Sequence, residues 1–100
     1  MVYAIQESKG KNILPAEKFG KIVVMLDQKA TGTYIVPPET YTTLRKILRH
    51  FNDEDYLLLI GDPILIGIAT AIALKENFGT ANVLRWDKQE KKYVALTITY

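Results

Sequence analysis

The sequence predicts an α+β domain, a strongly bent and mostly antiparallel sheet with two helices at about residues 39–51 and 63–78. Three observations carry that reading. The stretch Asp55–Gly79, DYLLLIGDPILIGIATAIALKENFG, is an apolar run of strand length, a tight turn and a helix. Tyr41, Leu44, Ile47, Leu48 and Phe51 recur at three- and four-residue spacing, as on one face of an amphipathic helix. NVLRWD at 82–87 and KYVALTIT at 92–99 flank the polar turn KQEK, which reads as an antiparallel hairpin.

Taken in order, Val2–Glu7 alternates as a first strand, and Ser8–Phe19 is a loop with a turn at Lys9-Gly10-Lys11-Asn12 and a breaker at Pro15. Lys21–Asp27, KIVVMLD, is a strand. Thr33–Val36, TYIV, follows a turn ending near Gly32, so these two are expected to pair as a hairpin. Pro37-Pro38 stops that strand, and the helix after it carries Arg45, Lys46 and Arg49 on its polar face. Asn52–Asp55, NDED, is expected to be an acidic, solvated connection. Tyr56–Gly61 is then a strand. Asp62 suits the N-cap of the second helix because its carboxylate accepts from first-turn amides. Pro63 suits the first helical position, where no N–H is needed. Gly79 suits the left-handed position past the helix end. The order β-β-β-α-β-α-β-β follows. A parallel strand–helix–strand crossover over 56–87 is the alternative arrangement.

One hundred residues make a single domain, 1–100. Such a chain hides roughly 60–65% of its unfolded surface, enough for a modest core. With 48% hydrophobic and 24% charged residues the mixture is that of a folded globular protein. A net charge of +2 permits a nucleic-acid partner without demanding one. The absence of cysteine excludes disulfides, thiol catalysis and cysteine metal sites, and suits a reducing cytoplasm. MVYAIQESKGKN has no apolar signal core, so secretion is not expected. Gly61-Asp62-Pro63 divides the apolar region 56–74 into pieces too short to span about 30 Å of hydrocarbon, so no membrane partner is expected.

Little in the chain suggests catalysis. His50 is the single histidine and sits where it would complement a helix C-terminus. Ser8 is the only serine, and no serine–histidine–acid set assembles around it. Asp53, Glu54 and Asp55 lack the spacing of a calcium loop. The turn before the second helix lacks the glycine pattern of a nucleotide cradle, and Asp62 places a negative charge there. No catalytic residue, metal or cofactor is therefore expected.

Arg85–Tyr93 is the best functional candidate, with four cations (Arg85, Lys88, Lys91, Lys92) and two aromatics (Trp86, Tyr93) within nine residues. Bases stack on aromatic rings while Lys and Arg meet phosphates, which is how single strands are held without sequence readout. The plain alternative is a solvated turn with Trp86 and Tyr93 as a structural cross-strand pair. Arg45 and Arg49 are secondary candidates. The terminal strand carries no charge after Lys92, so it is an edge suited to pairing with a second copy. Repeated head to tail, such pairing closes into a ring.

Four segments, Asn12–Ala16, Phe51–Pro63 (FNDEDYLLLIGDP), Ile66–Ala73 (IGIATAIA) and Arg85–Tyr93, resemble a family of small marine-metagenome proteins attributed to cyanophage-like viruses, with an Sm-like (LSm) fold. The resemblance implies a small bent antiparallel barrel, a cyclic homo-oligomer, RNA or DNA binding and residence in an infected host cell. Leu59-Ile60-Gly61-Asp62 is similar to the second Sm motif but lacks its basic residue between Ile60 and Gly61. No nucleic-acid residue is therefore transferred from that motif.

The expectation is thus a non-catalytic, ring-forming protein that binds single-stranded RNA or DNA through Arg85, Trp86, Lys88, Lys91, Lys92 and Tyr93, with Arg45 and Arg49 contributing. A structural or protein-interaction ring without nucleic-acid binding is the alternative. A small α/β enzyme working at the Asp62 helix start is a third.

Overall fold

A computed structural model describes residues 1–30 and 34–100. The elements run β1 (Val2–Gln6), a 3-10 segment (Leu14–Phe19), β2 (Ile22–Leu26), a short 3-10 turn (Gln28–Ala30), α1 (Pro38–Ile47), β3 (Tyr56–Leu58), α2 (Pro63–Glu76), β4 (Thr80–Asp87) and β5 (Lys92–Thr99). They form an α+β domain around one five-stranded sheet of order β2-β1-β3-β4-β5.

The pairing differs from the expected mostly antiparallel barrel. β1 runs parallel to both β2 and β3, β3 runs parallel to β4, and only β4 and β5 pair antiparallel. The sheet is open, with β2 and β5 at its two edges. The expected hairpin after β2 does not form: Tyr34–Val36 is not a strand, and Tyr34 and Ile35 are exposed. Gly32 and Thr33, the rest of that expectation, lie outside the described residues. The chain returns to the sheet through α1 instead, and a parallel neighbour needs such a crossover of a dozen or more residues. The 56–87 crossover, the alternative in the sequence reading, is the observed one.

Burial follows from the pleat. Tyr3, Ile5, Leu57, Ala81 and Val83 face α1 and α2, meeting Leu44, Leu48, Phe51, Leu65, Ala69 and Ala73. Val2, Ala4, Leu58 and Leu84 face the other way, onto Ala16 of the 3-10 segment. β3 is therefore covered on both faces, which explains its unbroken apolar run. Each fully buried leucine contributes roughly 1.5–3 kcal/mol. The second helix starts as expected: the Ile64 amide donates to the Asp62 carboxylate at 2.8 Å with Pro63 following. The first helix is shorter than expected, ending at Ile47. Asp55 is not solvated. It is buried, pairs with the Met1 ammonium at 3.1 Å and accepts from the Asn52 amide.

In this strand order the chain leaves β1 in one direction to β2 and in the other to β3, so the carboxyl ends of β1 and β3 flank a crevice where open α/β sheets commonly take ligands. Here the crevice is an open hollow of about 510 Å³, and Gln6 lines it with Glu7, Ser8, Lys9, Gln28, Gly61 and Asp62. The Gln6 amide nitrogen donates to the Asp27 carbonyl at 3.1 Å and its side-chain oxygen accepts from the Asp62 amide at 2.8 Å, so one buried side chain ties the turns after β2 and β3 to the end of β1. Gly61 makes room for it. Its φ is +120°, and a Cβ there would lie 2.5 Å from Gln6 Cβ. Gly61→Ala combines backbone strain with overpacking, so it should destabilise the domain by roughly 2–4 kcal/mol in urea unfolding. A change below about 0.5 kcal/mol would show that the clamp is not tight.

Candidate nucleic-acid interface

The β4–β5 hairpin is built by local chemistry. Asp87 Oδ1 accepts from the Gln89 and Glu90 amides at 2.9 and 3.2 Å, closing the turn, and Lys91 completes it with φ of +52°. The turn lies at the carboxyl edge of the parallel strands, on the same edge as the loop after β1 and the turn after β3.

Strand alternation then sorts the predicted residues onto different faces. Trp86 is paired with Tyr93, and the two rings meet edge-on with centroids 5.0 Å apart. Both lie on the side of the 3-10 segment, where Tyr93 joins the core with Leu84 and Ala16. Arg85 and Lys92 project to the opposite face, the one covered further along by α2, because they pair with Val94 and Asp87. Lys88 and Lys91 stand on the exposed turn between the faces. Among the described residues none of Arg85, Lys88, Lys91 and Lys92 is held in an ion pair. Arg45 and Arg49 are not brought to this site. They sit on and just after α1, which packs on β2 and whose carboxyl end lies toward the amino ends of the parallel strands. Arg45 stacks locally on Tyr41, 5.8 Å from the ring centre.

The two aromatics have different surroundings. Tyr93 is only 7% exposed, and its hydroxyl donates to the Asn12 carbonyl at 3.4 Å. Trp86 is 45% exposed and leaves indole surface to solvent. Beside it is a half-open cleft of about 270 Å³, lined by Gly10, Lys11, Asn12, Pro15, Leu59, Ile60, Trp86 and Tyr93. Lys11 and Asn12 were absent from the sequence-derived set. Sequence reading placed the turn at 9–12 but could not show that the loop after β1 folds against β5. The cue available was only its cation, Lys11. Among the described residues no group of three or more His, Cys, Asp or Glu gathers as a metal site, and no helix is long and apolar enough to cross a membrane.

Burial raises the Tyr93 phenol above its ordinary value of 10.0. Tyr3 is raised too, first by burial and then by the nearby Asp55 charge. A tyrosine whose folded value is raised stabilises the fold fully below the unfolded value and loses that contribution as pH rises through the folded one. Stability should therefore hold up to about pH 10 and fall above it. The Tyr93→Phe, Tyr3→Phe double variant should lose less stability over that alkaline window; an equal loss in denaturant titrations would contradict this origin.

No curated protein and no solved structure matches the chain. A family model described as "Phage Pam3 gp32-like protein" matches residues 1–100, the whole length, and the chain belongs to that family.

Proposed function

We propose that this phage-family protein is a non-catalytic binding domain for single-stranded RNA or DNA, acting within the infected host cell. The observation that carries the reading is the exposed indole of Trp86 beside a cleft that also presents Lys11, with Lys88 and Lys91 on the adjoining turn. A base stacks on the indole, the cleft takes its edge or sugar, and the lysines meet the flanking phosphates. Tyr93 supports the indole from beneath by its edge-on contact rather than stacking a base itself. Arg85 and Lys92, on the opposite face, contribute through the general field and not through the same strand segment.

Fluorescence anisotropy with labelled single-stranded RNA and DNA at two salt concentrations tests the proposal. The native chain should bind with salt-sensitive affinity. Trp86→Ala should cost roughly 1–3 kcal/mol of binding. The double variant Lys88→Ala, Lys91→Ala should weaken binding and flatten the salt slope by about one to two units. The double variant Arg45→Ala, Arg49→Ala should bind as the native chain does. Flat titrations for the native chain with both nucleic acids end the proposal and leave a protein-interaction role.

A further inference from the structure

At the other end of the sheet stands a surface that folding of one copy does not explain. Phe78 is 97% exposed and adopts φ of +54°, a left-handed backbone that a bulky side chain rarely takes. Glycine or asparagine there would relieve the backbone at no loss of packing, so this residue costs the isolated chain stability and returns none of it by burial. Tyr100 is fully exposed next to it, and the two line one mostly apolar hollow with Ala71, Leu74, Lys75 and Gly79. Along its outer side α2 shows Ile64, Gly67 and Ala71 to solvent, although a helix apolar all round is normally covered.

The flank of β5 continues this surface. Val94, Leu96 and Ile98 share the face of the sheet that carries α2, and Leu96 is 43% exposed. The outer edge of β5 has no strand partner among the described residues. Eight residues long, and free of charge and proline after Lys92, it has none of the devices that keep edges apart.

We infer that β5 pairs antiparallel with β5 of a second copy about a two-fold axis, with Phe78 and Tyr100 closing the ends of the joint. The sequence of β5 is self-complementary in that geometry. A pairing centred on Leu96 sets Leu96 against the second copy's Leu96, Val94 against the second copy's Ile98, and Lys92 against the second copy's Tyr100. Leu96, Val94 and Ile98 then each meet an apolar partner, the pairs that stabilise a sheet, and the stem of Lys92 lies against an aromatic ring. Phe78 and Tyr100 alone offer roughly 300–500 Å², about half of the ~800 Å² per partner of a stable interface. Edge pairing and the α2 flank supply the rest. The joint is isologous, so it closes as a dimer with a continuous ten-stranded sheet, whereas head-to-tail joining of β5 to the β2 edge would build a ring or filament. The inference is independent of nucleic-acid binding, because Trp86 lies on the opposite face.

Light scattering on the full chain across a concentration series tests it. The expected particle has twice the 11.3 kDa chain mass. Phe78→Asn should raise the dimer dissociation constant about tenfold or more while raising the melting temperature of the dilute monomer. Leu96→Lys should also give monomer, with circular dichroism confirming the fold. Because the chain has no cysteine, Leu96→Cys supplies an independent readout: under mild oxidation it should cross-link to dimers, and Gln89→Cys at the hairpin turn should not. A monomer at all concentrations, a larger assembly, a dimer that survives both Phe78→Asn and Leu96→Lys, or a Leu96→Cys chain that does not cross-link would each overturn the two-fold joint.

Discussion

The close approach of Gln6 to Gly61 is the constraint on which the arrangement depends. A parallel sheet leaves the carboxyl ends of its strands without hairpins to close them, so the turns there must be held by something else. In this chain one buried carboxamide does so, donating to the turn after β2 and accepting from the turn after β3. It fits because residue 61 has no side chain and accepts φ of +120°. The same contact sets the entry of α2, since the Asp62 amide that Gln6 receives belongs to the helix cap.

The β4–β5 hairpin extends past the end of β3 and carries Trp86 out of the core while Tyr93 stays in it. The difference between the paired aromatics is positional. Tyr93 lies against the loop after β1, and Trp86 lies at the open side of the cleft. The opposite end of the sheet holds Phe78 and Tyr100, on the α2 side. The two surfaces differ in face, end and chemistry, one being cationic with a single exposed ring and the other mostly apolar, with one lysine, beside an unpaired strand edge.

The helices and the last hairpin were legible in the sequence because their signals are local. The spacing of Leu44 and Leu48, the Asp62-Pro63 cap and the alternation of Lys92–Thr99 each depend on residues within a few positions of one another. Parallel pairing is not local. Val2–Gln6 and Ile22–Leu26 look the same whether their neighbours run with them or against them, and the partner is chosen by which arrangement lets α1 and α2 cover one face. The unbroken run in β3 was the one available cue, since a strand buried on both faces has no polar side to alternate. Asp55 illustrates the same limit. In the string NDED it looks solvated, and only the fold brings the Met1 ammonium to it.

The candidate site divides in the same way. By itself the sequence determined that Arg85–Tyr93 forms a charged hairpin with two aromatics, because a strand–turn–strand pattern is written in neighbouring residues. Tertiary structure decided that Arg85 and Trp86 face opposite ways across the sheet, that Arg45 and Arg49 belong to a remote helix, and that Lys11 joins Trp86 across a cleft. Those outcomes require knowing which face each helix occupies, and that is settled by burial summed over the whole chain rather than by any short segment of it.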